Sequence, residues 1–197
     1  MIGNDIIDLQ YTKETCDYKR SGFLQKILTK EEQALVYESS DPFLLVWRMW
    51  SMKESAYKIH VQINQSRVLN PKSFDCKIVD DSEGTVSINE HTYYSQSTIE
   101  TNYIFTCACQ QKSSQARHNI SVLKNSDHHH QSLACRNSLI EDVARLNNWD
   151  IAQLELRKSG IGRPELYNNQ SKVDIDISLT HHGCYAGFSF AAPLYFF

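Results

Sequence analysis

The sequence predicts an α+β fold laid out in two segments joined by a polar stretch. Three observations carry that reading. Helical signals, including a complete capping box, crowd the first third of the chain. Strand signals, short and apolar or alternating, follow them up to about residue 110. A second, shorter succession of helix and then strand occupies the last third. The segments are placed at 1–110 and 135–197, with 111–134 as the connection.

Residues 2–9 read as a short strand, apolar except for Asn4, Asp5 and Asp8. A helical stretch follows near 21–28. Thr29 then stands as the cap of another helix, with Glu32 placed to reach back to it; Ala34, Leu35 and Val36 lie on that helix. Asp41-Pro42 opens a third helix, because the first turn has no use for the N–H that proline lacks. It runs to about Ile59 and sets Trp47, Trp50, Glu54 and Lys58 on one face, at steps of three, four and four. Residues 74–79 and 85–88 are strands around the turn at Asp80-Asp81-Ser82-Glu83-Gly84, and 99–109 is a third. The connection contains Lys112-Ser113-Ser114-Gln115 and Asp127-His128-His129-His130, and reads as an exposed crossing with one apolar break at 120–123. Beyond it, 135–147 is a helix with Leu139, Ile140, Val143 and Leu146 as its stripe. Asp150 caps a short helix ending before Ser159, and Gly162-Arg163-Pro164 is a turn. Val173, Ile175, Ile177 and Leu179 alternate with Asp174, Asp176, Ser178 and Thr180, a period-2 strand on which Asp174 and Asp176 are expected to form a solvated face. It ends at His181-His182-Gly183, and 185–191 is the last strand.

Composition narrows the function classes. The 197 residues are 41% hydrophobic, enough for a core, and carry 20 basic against 23 acidic residues for a net charge of −3. No global basic field exists to gather nucleic acid, so anion binding has to be local. No stretch approaches the roughly 20 apolar residues of a membrane helix, and the start lacks the basic and apolar regions of a secretory leader. A cytoplasmic protein with neither nucleic-acid nor membrane partners is expected. Six cysteines without a C-x-x-C pair fit buried thiols better than a disulfide framework.

Taken singly, the polar residues of interest are ordinary. Asp5 reads as a charge on an edge strand, and Glu54 with Lys58 as an i,i+4 pair worth a few tenths of a kcal/mol. Together they suggest more. Two carboxylates from different elements suit a hard cation such as Mg²⁺, which takes oxygen ligands and often bridges to a substrate phosphate. Lys58 adds positive charge one turn beyond Glu54. Arg163 in its glycine turn and Thr180-His181 at a strand end complete a candidate phosphate pocket. A metal site on His128-His129-His130 is the weaker reading, since consecutive side chains diverge and zinc draws spaced ligands.

These motifs together resemble the 4′-phosphopantetheinyl transferases. Gly3-Asn4-Asp5 resembles that family's G-x-D strand. Trp50-Ser51-Met52-Lys53-Glu54-Ser55-Ala56-Tyr57-Lys58 resembles its W/F-x-x-K-E-A/S-x-x-K helix, the most specific of the set. Gly162-Arg163-Pro164 and Ser178-Leu179-Thr180-His181 resemble its G-K/R-P turn and S-I-S-H strand end, and the segment from Phe23 to Glu32 resembles the one that precedes its metal helix. The resemblance implies a fold of two pseudo-symmetric lobes, each a small antiparallel sheet packed on helices. It implies transfer of 4′-phosphopantetheine from coenzyme A to a serine of an apo acyl or peptidyl carrier protein, with release of 3′,5′-ADP. It implies Asp5 and Glu54 as magnesium ligands and Glu54 and Lys58 as catalytic groups. Lys53, Lys58, Arg136, Arg163, Thr180 and His181 are implied as coenzyme contacts. The alternative on the same fold is a non-catalytic carrier-binding module.

Two departures from the family stand out. Ile7 occupies the place of the second acid in the larger members' D-x-E, and Asp8 stands where the small holo-acyl-carrier-protein synthases have a glutamate. The metal motifs also precede the G-R-P and strand-end motifs, the reverse of the larger enzymes. Either a permuted two-lobe monomer or a small, trimeric synthase with a long insertion fits this order. Lys13, Lys19, Arg20, Lys26 and Lys30 form either a basic surface for an acidic carrier or a plain solvated face.

Overall fold

A computed structural model describes residues 1–65, 67, 69–112, 116–124 and 127–191; residues 113–115 of the polar connection lie outside the described residues. The fold is α+β, with small antiparallel sheets packed on helices. Strand β1 (Ile2–Asp8) is followed by α1 (Leu9–Thr15), α2 (Phe23–Ile27), α3 (Lys30–Glu38) and the long α4 (Pro42–Asn64). Strands β2 (Asp75–Ile78), β3 (Glu83–Ile88), β4 (His91–Ile99) and β5 (Tyr103–Cys109) then complete a five-stranded antiparallel sheet in the order β1-β5-β4-β3-β2. Strand β6 (Arg117–Val122) and α5 (His128–Asn147) come next, then β7 (Leu154–Lys158), β8 (Pro164–Asn168), β9 (Ser171–Lys172), β10 (Asp176–His182) and β11 (Tyr185–Ala191). These form two three-stranded sheets, β10-β11-β6 and β7-β8-β9.

Helix α4 is the axis of the first core. Its capping carboxylate, Asp41, accepts from the Leu44 N–H at 2.9 Å ahead of Pro42. Val46, Met49, Met52, Ala56 and Ile59 are fully buried against the five-stranded sheet. Helix α3 begins with the capping box read from sequence: Glu32 N–H donates to Thr29 Oγ1 and Thr29 N–H to Glu32 Oε2. A second core gathers Leu139 and Val143 of α5 with Leu166, Ile177 and Phe188.

The two cores meet along β1. Its Asn4, Ile6 and Asp8 N–H groups point away from β5, at an edge that no strand ladder closes. They donate instead to the side chains of Ser178 (2.9 Å), Thr180 (3.2 Å) and His182 (3.0 Å) on β10. The constant offset runs β10 alongside β1 in the same direction. Ser178 and Thr180 are thus buried as acceptors for a strand edge; of the two aspartates expected on a solvated face, Asp174 is exposed and Asp176 is half-buried, paired with Arg163 and the Met1 amino group. Ile6, Phe105 and Tyr185 fill the apolar part of the seam.

Elsewhere the structure departs from expectation in identifiable ways. Residues 99–109 hold a hairpin turn between β4 and β5, not one strand. The expected exposed crossing contains β6, which pairs with β11, and α5 starts at His128 rather than near 135, capped by Asp127. Residues 150–158 form a single 3₁₀ turn and then β7 in place of a short helix.

Candidate functional site

Gly3 brings the two metal-motif elements together. A Cβ at that position would lie 2.1 Å from the Ser55 carbonyl oxygen, so only glycine lets β1 run this close to α4. The approach places Asp5 beside Glu54 and Lys58. Asp5 Oδ1 accepts from Thr180 Oγ1 at 3.2 Å and faces Lys58 Nζ at 4.0 Å. Its Oδ2 is buried with no hydrogen-bond partner. Lys58 Nζ also donates to the carbonyls of Asn4 and Leu179, which ties the helix to both strands of the seam. Burial pushes the Asp5 carboxyl above its usual value against the opposing pull of Lys58, His182 and the Thr180 and Ser51 hydroxyls. Burial, and then the Asp5 charge, push Glu54 up to about 7.

A cleft of about 730 Å³ opens beside Asp5 and Lys58; Arg136, Arg163, Thr180 and His181 line it too, while Glu54 is not among its lining residues. Arg163 follows Gly162, whose φ of 76° supplies the left-handed turn residue. Its Nη2 is held by Asp176 Oδ1 at 2.6 Å, while its buried Nε has no partner. Arg136 donates to the Leu156 carbonyl.

A model of the 4′-phosphopantetheinyl transferase superfamily matches residues 1–122. The chain belongs to that superfamily. It is therefore a transferase of 4′-phosphopantetheinyl groups. The match spans the strand that carries Asp5 and the helix that carries Glu54 and Lys58. The crystal structure of Thermotoga maritima holo-[acyl-carrier-protein] synthase is similar at a TM-score of 0.43 and 11% identity, over 87% of this chain and 83% of that one. No curated protein matches the chain.

Of the residues the transferase motifs single out, Lys53 and Glu54 do not line the cleft, and Lys53 is turned well away from it. Lys53 lies about 100° round α4 from Glu54 and is 1% exposed, with Nζ 2.7 Å from Glu32 Oε2 and 3.0 Å from the Pro71 carbonyl. Asp8 is committed to backbone donors: its Oδ1 accepts from Tyr11 N–H as the cap of α1, and its Oδ2 from Cys184 N–H. Ser51, Arg67, His128 and Lys158 were not singled out as site residues. The Ser51 hydroxyl is fully buried beside Asp5 without a geometric partner, and the other three line the cleft. Ser51 carried a signal, three residues before Glu54 and on its side of the helix; Arg67 and Lys158 carried none.

The donors suit a hard divalent cation. Asp5 Oδ2 is a buried oxygen with no hydrogen bond, Glu54 has no hydrogen-bond donor among the described residues, and burial raises both carboxyls, the Asp5 charge adding to the shift at Glu54. No cluster of three or more His, Cys, Asp and Glu able to hold a metal occurs among the described residues. Among those residues no helix is long and apolar enough to cross a membrane.

Proposed function

We propose that this transferase moves 4′-phosphopantetheine from coenzyme A to a serine hydroxyl of an apo acyl or peptidyl carrier protein and releases 3′,5′-ADP, with Asp5 and Glu54 holding Mg²⁺. The observation that carries the reading is the juxtaposition of an under-compensated carboxylate pair with a cleft of basic side chains, all within one chain. Magnesium, when bound, would supply charge against the pyrophosphate. Lys58, fixed by two carbonyls, binds the departing phosphate. Arg163, held in aim by Asp176, and Arg136 with His181 bind the coenzyme's remaining phosphate charge. The serine oxygen forms its bond to the β-phosphorus as the bond to the 3′,5′-ADP oxygen breaks. Glu54 takes the serine proton, directly or through one water.

The arrangement of the chain is read as two lobes, 1–110 and 135–197, joined through 111–134 and acting as a monomer. Two separate cores and a cleft lined from both sides by one chain support this. Sedimentation of the dilute protein tests it, and a trimer would overturn it. The activity is tested by incubation with coenzyme A, Mg²⁺ and a panel of apo-carriers. A mass gain of one phosphopantetheine is expected; no gain on any carrier would sink the proposal.

A further inference from the structure

The histidine run at 128–130 has no role in the reading above, yet the structure carries its first member into the cleft. His128 opens α5 behind the cap Asp127, and its ring meets that of His181 edge-on, with centroids 4.5 Å apart and planes at 89°. Both rings line the cleft together with Lys58 and Arg136, and Asp5 is the one carboxylate among the lining residues. The charged and titratable groups that bear on His181 are all basic: His128 from α5, Lys58 from α4 and His182 on β10 itself. Asp5, from β1, is engaged with Thr180 and faces Lys58. His182 has its Nδ1 occupied as acceptor of the Asp8 N–H. Burial and the basic neighbours hold the His181 imidazole below its ordinary value.

We propose that His128 is a further phosphate-binding residue of the cleft, and that a proton is taken up at the ring pair it forms with His181 when a phosphate of coenzyme A settles against them, so that coenzyme affinity rises as the pH falls. The inference rests on the coenzyme reading of the cleft. Burial and the neighbouring His128 and Lys58 oppose protonation of His181, and a bound phosphate supplies the missing countercharge. The His181 imidazole then holds a proton more tightly in the complex than in the free protein. Below the free-state values both states are protonated and affinity is greatest. Affinity falls as pH rises towards the bound-state values, and above them the contribution is gone.

The test is calorimetric titration of the intact protein with coenzyme A at about pH 6 and about pH 8.5, on either side of the imidazole range, in buffers of two ionisation heats. The wild type is expected to bind about tenfold more tightly at the lower pH, with net proton uptake. His128→Ala is expected to lose most of that gain and most of the uptake, while its affinity at the higher pH changes little. His128→Lys, permanently charged, is expected to bind tightly at both. His128 is exposed on the first turn of its helix, and circular dichroism verifies that both variants fold. A His128→Ala variant that keeps the wild-type pH slope and proton uptake overturns the role of the pair and leaves the coenzyme reading standing. Failure of the wild type to bind coenzyme A at either pH overturns both.

Discussion

Helix α4 carries two lysines five residues apart, and each faces a carboxylate from another element in a different way. At Lys53 every group is matched. Lys53 donates to Glu32 and the Pro71 carbonyl, while Glu32 accepts from Lys53, Thr29 N–H and Cys76 N–H, both side chains being 1% exposed. At Lys58 the matching is left incomplete. The Asp5 oxygen lies at 4.0 Å, the other Asp5 oxygen has no partner, and Glu54 stands alongside with raised affinity for a proton. A buried ion pair with all its hydrogen bonds made is architecture. Carboxylates held close together without enough donors cost the fold something, and sites of that kind are where ligands bind. The difference between these regions separates the lysine that builds the helix packing from the lysine that serves the cleft.

The largest effect that tests this contrast is on activity. Asp5→Asn and Glu54→Gln are each expected to lower the rate of carrier modification by about 10³-fold while leaving the melting temperature unchanged or raised. Single-turnover transfer and calorimetry read the two sides. A variant that loses stability and activity in parallel would mean that the carboxylate pair is structural after all.

The matched region should behave in the opposite way. Glu32→Ala is expected to destabilise the protein by about 3 kcal/mol, because it strands the Lys53 ammonium in the core. Transfer per folded molecule should stay near wild type. Denaturant unfolding with a parallel activity assay checks both, and the double change Glu32→Met, Lys53→Met is expected to recover much of the lost stability.

A smaller effect comes from the titration of Glu54 in the metal-free protein. Its carboxyl has a folded value of about 7 against an unstrained 4.5. Below 4.5 both folded and unfolded states hold the proton. Between the two values the folded state keeps a proton that the unfolded state has released, so stability falls as pH rises, and the loss is complete above 7. The expected decline is of order 2 kcal/mol, allowing for the screening of a half-buried group. Thermal unfolding across pH 4.5–7 in chelator measures it; Glu54→Gln should flatten the curve, and a wild-type slope in that variant would assign the effect to another group.

The same contrast explains how much could be read from the chain. Local chemistry was legible: the Thr29–Glu32 box and Asp41 before Pro42 appear as expected, whereas the alternating strand starts only at Asp176, later than its pattern from Val173 implied. The family motifs pointed to Asp5, Lys58, Arg136, Arg163, Thr180 and His181, which the fold gathers round one cleft. What stayed hidden depended on partners far along the chain. Lys53 and Lys58 look alike in sequence, and only Glu32, 21 residues upstream, distinguishes them. The burial of Ser178 and Thr180 was not legible because the unpaired edge of β1 that buries them lies 174 residues away. Strand β6 was missed because it is largely exposed and shows no alternation. The β4–β5 turn was missed because Glu100, Thr101 and Asn102 include neither glycine nor proline.

The smallest effect probes where local and long-range order overlap. Glu32 is at once the closing residue of a capping box and the partner of Lys53, so the two roles share one side chain. Thr29→Ala removes one cap hydrogen bond from α3 and is expected to cost about 1 kcal/mol. In a Glu32→Ala background the same change should cost less, because the reciprocal half of the box is already gone and the first turn has loosened. A double-mutant cycle by denaturant unfolding measures the coupling. Strict additivity would mean that the cap and the ion pair act independently. A positive coupling would mean that the capping box holds Glu32 in place for Lys53, so that a motif legible over four residues orients a contact that sequence alone does not reveal.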